Sequence, residues 1–135
     1  MERNKNIEEV LQSMDFEFFG NSKHKISPDA LLKTEGAVLL DVRSMIEYET
    51  ISFNLIHNIS MLHIPVDKIP ERLSEIQKDK MTGIFCSSSV RASMTYLYLR
   101  ALGYENVRIL QGGYDSLVAE LKTGKLYKYI KSRKN

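Results

Sequence analysis

The segment that decides the fold is Ile84-Phe85-Cys86-Ser87-Ser88-Ser89-Val90-Arg91-Ala92-Ser93. It ends a mostly apolar run, residues 81–85, that is typical of a buried strand. It leads into a helical pattern formed by Met94, Leu97, Tyr98 and Leu102. Cys86, the only cysteine in the chain, therefore marks the junction between a strand and a helix.

Two interpretations of Cys86 stay open at this point. The start of a helix offers unpaired backbone N–H groups and the positive end of the helix dipole, and both favour a thiolate over a thiol. A cysteine in the polar loop from Cys86 to Arg91, hereafter the Cys86 loop, is thus a candidate nucleophile. A lone cysteine is also often a small buried apolar residue with a structural role.

The strand pattern predicts the fold class. Residues 37–42 read Ala-Val-Leu-Leu-Asp-Val, and continuous rather than alternating apolarity favours a strand covered on both faces. Further strands are predicted at 61–66, 81–85 and 107–110, and the main domain is predicted to start at His24-Lys25-Ile26. Because helical segments separate them, we predict an α/β fold with a central parallel sheet of about five strands and helices on both faces. Ligands bind beyond the carboxyl ends of strands in such sheets, which is where Cys86 lies.

The helices are predicted from caps and apolar spacing. Ser27 caps a helix whose first position is Pro28, and Gly103 ends the helix that follows the Cys86 loop. The segment 67–77 contains a helix with Pro70 in its first turn. Other helices are predicted near 7–14, 45–49 and 114–121.

The chain divides into three parts on this pattern. Residues 1–22 form a helical and extended N-terminal extension, residues 23–122 form the main domain, and residues 123–135 form a basic C-terminal tail. A basic tail of this kind is commonly a solvated helix face or a frayed terminus.

Composition bounds the possible functions. The chain has 135 residues, of which 43% are hydrophobic, and this suits one domain with its own core. A formal net charge of +2 is too small to indicate nucleic-acid binding. One cysteine excludes an internal disulfide, and no apolar stretch has the length of a signal peptide or a membrane span. We therefore expect a cytoplasmic protein that binds neither nucleic acid nor membrane.

Five separated segments stand in a specific order: Asp41-Val42-Arg43 with Glu47-Tyr48, His63-Ile64-Pro65-Val66, Phe85 to Arg91, Leu102-Gly103-Tyr104 with Val107, and Leu110-Gln111-Gly112-Gly113. Together they resemble the rhodanese family, and the similarity runs from about Lys25 to Leu121. The resemblance implies a rhodanese-like domain within residues 23–122.

The resemblance also implies a sulfurtransferase. Cys86 would attack the outer sulfur of a small anionic donor such as thiosulfate and carry that sulfur as a persulfide. A thiol, a protein thiol or cyanide would accept it, and the family needs no cofactor for this chemistry. The oligomeric state is left open.

The Cys86 loop is expected to bind the substrate. Backbone N–H groups of Ser87, Ser88, Ser89, Val90 and Arg91 would surround the anionic outer sulfur as a nest. Arg91 has two open roles, because it could hold the sulfonate of thiosulfate or brace the loop by pairing with an acid.

Two further charged residues, Asp41 and Arg43, are expected to support the site as structural residues that hold its loops together. Arg43 lies four positions before Glu47, so these two side chains could also pair on a helical turn.

The loop departs from the family pattern at two positions. Ser87 stands where an arginine is common, and the missing positive charge should weaken the attraction for dianionic thiosulfate. Ser89 stands where a glycine is common, so a positive φ there would strain the backbone by roughly 1 kcal/mol or more.

Two alternative functions remain. A cysteine-based phosphatase or arsenate reductase uses a related loop, but one that is longer by one residue than Ser87 to Val90 and so fits a tetrahedral phosphate better. A catalytically weak rhodanese-like module could instead bind a protein partner or sense redox state.

The histidines and the paired glycines have structural interpretations. His57 and His63 are expected to be partly buried polar residues, because no histidine–cysteine spacing resembles a zinc site and sulfur transfer needs no metal. Gly112-Gly113 predicts a tight turn before a helix and lacks the lysine and hydroxyl residue of a phosphate-binding loop.

Overall fold

The computed structural model describes residues 5–55 and 57–133. Its strands are β1 (Lys25–Ile26), β2 (Val38–Asp41), β3 (Ser60–His63), β4 (Thr82–Phe85) and β5 (Val107–Leu110). Its helices are α1 (Lys5–Ser13), α2 (Phe16–Gly20), α3 (Pro28–Lys33), α4 (Met45–Thr50), α5 (Val90–Ala101), α6 (Gly113–Ala119) and α7 (Thr123–Arg133).

The five strands form one parallel sheet in the order β1-β5-β4-β2-β3. This confirms the predicted fold class. Parallel neighbours need crossover connections, and the helices between the strands supply most of them. The strand β4 lies at the centre of the sheet, so its carboxyl end, where Cys86 follows, is flanked by strands on both sides.

Side chains alternate between two apolar clusters on the two faces of the sheet. Leu40 and Ile84 point to one face, where α5 packs through Ala92, Tyr96 and Leu99. Leu39 and Phe85 point to the other face, where they meet Leu31, Leu32, Leu117 and Tyr129 from α3, α6 and α7. The continuous apolar character of the central strands follows from this burial on both faces.

Ser27 caps α3 as predicted, with its side chain accepting a hydrogen bond from the amide of Ala30 and Pro28 in the first turn. The prediction of a helix within 67–77 is wrong. That segment holds two separate 3-10 turns, Val66–Lys68 and Leu73–Glu75. Pro70 has no N–H to donate to the Val66 carbonyl, which accepts from the Ile69 amide instead.

The terminal segments are helical where the structure describes them. The helix α1 lies against α5, and α7 is anchored by the buried side chain of Tyr129. Residues 1–4 of the predicted extension, 134–135 of the predicted tail, and Ile56 lie outside the described residues. The boundaries at 22 and 122 stay predictions. Among the described helices, none is both long and apolar enough to cross a membrane.

Candidate active site

The candidate site lies at the carboxyl edge of the sheet. Asp41 at the end of β2 is in register with Phe85 at the end of β4 and with His63 at the end of β3. Cys86 directly follows the end of β4, and Arg43 lies two residues after the end of β2. The parallel register therefore brings the predicted supporting residues and the predicted nucleophile to one edge.

The thiol of Cys86 is buried, with 2% of the residue exposed, on the sheet face that α5 covers. Its Sγ accepts a hydrogen bond of 3.3 Å from the backbone N–H of Ala92, in the first turn of α5. Donation by a backbone amide at a helix start favours negative charge on the sulfur. The expected nest is therefore represented at Sγ by one amide, and this amide comes from the residue after the Cys86 loop.

The backbone of the Cys86 loop turns sharply at Ser89. Its φ is +72°, in the left-handed region that glycine adopts most easily. This turn lets α5 begin directly after the loop, and no side chain caps the start of the helix. The predicted condition for strain at Ser89 is thus met.

Arg91 is braced by an acid, which was one of its two open roles. Its Nη1 donates to Oε1 of Glu47 at 2.6 Å and its Nη2 donates to Oε2 at 3.0 Å. The same Nη2 donates to Oγ of Ser87 at 3.1 Å, so Arg91 ties the start of its own loop to α4. Glu47 also forms a capping box with Ser44.

These hydrogen bonds fix the charge state of Glu47. Those from Arg91, and then those from Ser44, lower the pKa of the Glu47 carboxyl to about 2. The Glu47 hydrogen bond is also the largest cause that raises the pKa of Arg91. Carboxylate and guanidinium are both ionised at neutral pH, so together they carry no net charge.

Arg43 is fully buried, and its guanidinium is paired with the carboxylate of Asp41. Its Nε and Nη2 donate to the Asp41 carboxylate, with an Nη2–Oδ2 distance of 2.6 Å, and its Nη1 contacts the Tyr114 hydroxyl at 2.5 Å. The guanidinium lies over the rings of Phe85 and Tyr114. Burial is the largest single influence on the pKa of Arg43 and lowers it. The hydrogen bonds and charge of Asp41, together with those of Tyr114, outweigh burial, so the pKa is raised. The suggested pairing of Arg43 with Glu47 is wrong, because each has another partner.

The start of α6 lies close to the backbone of the Cys86 loop. Gly113 has a φ of +58°, and a Cβ placed there would lie 2.6 Å from the Ser87 carbonyl oxygen. The paired glycines, Gly112 and Gly113, therefore have a second role besides the tight turn. They allow the backbone of the turn to approach the backbone of the loop.

The two histidines differ. His63 is partly buried, contacts the Arg43 carbonyl oxygen through Nε2 at 2.8 Å, and stacks on Tyr48 with ring centroids 4.1 Å apart. His57 is exposed, contrary to the prediction. Within the described ranges, no group of three or more metal-ligating side chains is placed to hold a metal ion.

Three contributors to the site were not assigned from the sequence: the Ala92 amide, Glu47 as the partner of Arg91, and the Tyr114 hydroxyl. Glu47 could have been found from the sequence, since it belongs to the first of the five segments that resemble the rhodanese family. The other two had none, because a backbone amide carries no residue signature and an aromatic residue after a glycine turn is common.

Comparison with known proteins decides the family. A sequence model of the rhodanese-like domain matches residues 28–120. The chain belongs to the rhodanese-like family. A curated sulfurtransferase of Allochromatium vinosum is 37% identical to this rhodanese-like protein over 83 residues, which cover 62% of the present chain and 73% of that protein. A rhodanese-related protein of Thermoplasma volcanium shares the fold, with a TM-score of 0.61 at 23% identity over 73% of this chain and 93% of that one.

Other relatives are much longer. A tRNA sulfurtransferase of Psychromonas ingrahamii is 28% identical over 75 residues, and these cover 56% of this chain but 15% of that protein. Family membership and the sulfurtransferase relative support sulfurtransferase activity in general terms.

Proposed function

We propose that this rhodanese-like protein is a sulfurtransferase or persulfide carrier. It moves sulfane sulfur from thiosulfate or a persulfide donor to a thiophilic acceptor through a persulfide on Cys86. The observation that carries the proposal is the position of the Cys86 Sγ beyond the central strand. There it accepts a hydrogen bond from the backbone N–H of Ala92 at the start of α5.

The chemistry has two steps that balance. The Cys86 thiolate attacks the outer sulfur of thiosulfate, the Sγ–S bond forms, and the donor S–S bond breaks with its electron pair leaving on sulfite. A thiolate or cyanide acceptor then attacks the outer sulfur of the persulfide. The Sγ–S bond breaks and its electron pair returns to Cys86, which regenerates the thiolate.

The loop supplies what these steps need. When the persulfide forms, the negative charge moves from Sγ to the outer sulfur. Hydrogen-bond donors other than the Ala92 amide are then needed to stabilise it. The amides from Ser87 to Arg91 and the serine hydroxyls are candidates for this role, and a well-placed donor of this type is worth about 3 kcal/mol.

A second candidate function is a binding or redox-sensing module with little turnover. It is favoured by the burial of Cys86, which leaves 2% of the residue exposed, and by the strained Ser89 in the loop. A phosphatase lacks such support, because the arginine that would hold phosphate is already held by Glu47.

The partners follow from this chemistry. We propose a small anionic sulfur donor and a thiol or protein-thiol acceptor, with no nucleic acid and no membrane. A reactive thiol without a disulfide partner suits a reducing compartment, and we therefore propose a cytoplasmic location.

Intact-mass measurement after donor exposure tests the proposal. Thiosulfate or a persulfide should add about 32 Da, the mass of one sulfur, and cyanide should remove it as thiocyanate. Cys86→Ser and Cys86→Ala should abolish both the gain and the thiocyanate. A wild-type protein that gains no sulfur from either donor would reject the transferase in favour of the binding module.

A further inference from the structure

Both arginines at the candidate site are neutralised by a carboxylate of the same chain. Arg43 is buried and paired with Asp41 at 2.6 Å. Arg91 is paired with Glu47 through two parallel hydrogen bonds, an arrangement with strong geometric preference. Neither arginine is therefore an unpaired cation available to bind an anionic substrate.

Glu47 is held in this arrangement from its own side. Its Oε1 accepts from the hydroxyl of Ser44 at 2.8 Å and from the Ser44 amide at 3.2 Å, while its own amide is capped by that serine. The carboxylate is thus fixed at the first turn of α4 and cannot swing away without breaking the cap as well.

Between Cys86 and Arg91 the loop supplies no further charged side chain. Three serines fill the Cys86 loop, and Ser87, which contacts Arg91, occupies the position beside the cysteine. The residues that precede Glu47 and Arg91 are exposed and apolar: Ile46 is 77% exposed and Val90 is 57% exposed. The loop and these neighbouring residues therefore add no cation to the pair, and Arg43, the other arginine at the site, is itself paired with Asp41.

Charge alone then discriminates between donors. The carboxylate of Glu47 cancels the attraction of Arg91 for any anion, and the cancelled attraction is twice as large for a dianion as for a monoanion. Thiosulfate loses more from this neutralisation than a persulfide with a single charge does.

We propose that Glu47 is a specificity-determining residue that makes this site prefer sulfur donors of low charge, such as a monoanionic alkyl persulfide, over thiosulfate. This inference rests on the proposed sulfurtransferase function and narrows its donor. In the preferred step, the Cys86 thiolate attacks the outer sulfur of the alkyl persulfide, the new Sγ–S bond forms, and the alkyl thiolate leaves with the electron pair of the broken S–S bond.

The test compares two donors on Glu47→Gln. Single-turnover loading of Cys86 is followed by intact mass with thiosulfate and with an alkyl persulfide, each at low and high NaCl. The ratio of the thiosulfate rate to the persulfide rate should rise about threefold to fivefold in Glu47→Gln at low salt. This gain should shrink toward the wild-type ratio at about 0.5 M NaCl, because the effect is electrostatic.

Two further variants separate charge from bracing. Glu75→Gln removes a similar ion pair, with Arg72, from a surface position outside the site and should leave the ratio unchanged. The double variant Glu47→Gln with Arg91→Gln loses the brace but keeps the net charge. Its ratio should stay within about twofold of wild type, whereas a direct thiosulfate anchor at Arg91 would make it fall about tenfold.

The outcomes distinguish this inference from the proposed function. If wild type loads sulfur but Glu47→Gln changes both rates equally, or changes the ratio in a salt-independent manner, Glu47 only braces the loop and the inference is wrong. A tenfold fall in the double variant would overturn it as well, even if Glu47→Gln does not fold. If wild type loads from neither donor, the sulfurtransferase function itself fails.

Discussion

Ser89 is the residue at which the Cys86 loop departs most from relaxed backbone geometry. A serine at a φ of +72° brings its Cβ into the steric conflict that glycine avoids. The surrounding contacts hold it there, since its carbonyl accepts both the amide and the hydroxyl of Ser93. Strain of this type at a site is consistent with a loop whose shape matters for function.

Ser89→Gly should stabilise the protein. The substitution removes strain of about 1 kcal/mol, and the greater freedom of glycine in the unfolded chain offsets part of that gain. The matched control is Ser88→Gly in the same loop, where φ is not positive and the entropy cost alone should destabilise by about 0.5–1 kcal/mol. Urea unfolding measures both, and equal destabilisation by the two changes would contradict strain at Ser89.

Contact between elements decides how the loop is supported. The first residue of α6, Gly113, lies close to the backbone of the Cys86 loop, which is possible because glycine has no Cβ to keep them apart. The helix α4 contacts α5 through the Glu47–Arg91 pair. The loop is therefore held by two elements that begin after other strands of the sheet.

Gly113→Ala should lower both stability and sulfur loading. The new Cβ would meet the Ser87 carbonyl at 2.6 Å and would have to adopt a positive φ, so we expect a loss of about 1–3 kcal/mol and a displaced loop. Gly124→Ala is the control, since nothing lies within 4 Å of its Cβ position, and alanine should stabilise α7 by about 0.5–1 kcal/mol. Thermal melting and thiocyanate release report the two effects, and full loading by Gly113→Ala would disprove the supporting role.

The Glu47–Arg91 pair predicts a specific dependence on pH. The pKa of Glu47 falls from 4.5 to about 2 on folding, so its contribution is fully present above pH 4.5 and is lost as pH falls toward 2. At pH 7, the free energy of unfolding of the wild type should exceed that of Glu47→Gln by up to about 1 kcal/mol. The difference is no larger because the ion pair is partly exposed and solvent screens it. The difference should narrow steadily below pH 4.5 in urea titrations. A difference that stays constant down to pH 2.5 would contradict the assigned pairing.

At the scale of the whole molecule, α7 is joined to the rest of the domain through Tyr129. Its hydroxyl lies 2.6 Å from Oδ1 of Asp29 on α3 and 2.7 Å from Oε1 of Glu120, which follows α6. Burial, and then hydrogen bonding to Asp29, raise the pKa of Tyr129 above its ordinary value, so the hydroxyl stays protonated at neutral pH. The last described helix is thereby part of the packed domain.

Tyr129→Phe should destabilise the whole domain by about 1–3 kcal/mol. The change removes the hydroxyl that lies within hydrogen-bond distance of the Asp29 and Glu120 carboxylates, so both carboxylates lose that contact. Tyr127→Phe, two residues away and 61% exposed, should change the free energy of unfolding by less than about 0.5 kcal/mol. Chemical unfolding compares the two, and equal small effects would show that α7 does not depend on this contact.

The sequence by itself determined four of the five strands, all except β1, together with most of the helices and the position of Cys86 between β4 and α5. These features depend on local apolar runs, caps and turn residues, which act within a few positions along the chain. Local pattern failed at 67–77, where apolar spacing suggested a helix but Pro70 cannot donate the hydrogen bond that would extend the first turn. It also did not identify the core face of α5, since Ala92 and Thr95 face the interior while Met94 and Tyr98 are exposed.

Only the tertiary structure decided the electrostatics of the site. Arg91 meets Glu47 across 44 positions of sequence, and Arg43 meets Tyr114 across 71. Such pairings follow from how α4, α5 and α6 lie around the carboxyl ends of the parallel strands. A charged side chain pairs with an oppositely charged or hydrogen-bonding group that is close in space, because the interaction weakens with distance. No periodic pattern along the chain encodes the distance in space between two such groups.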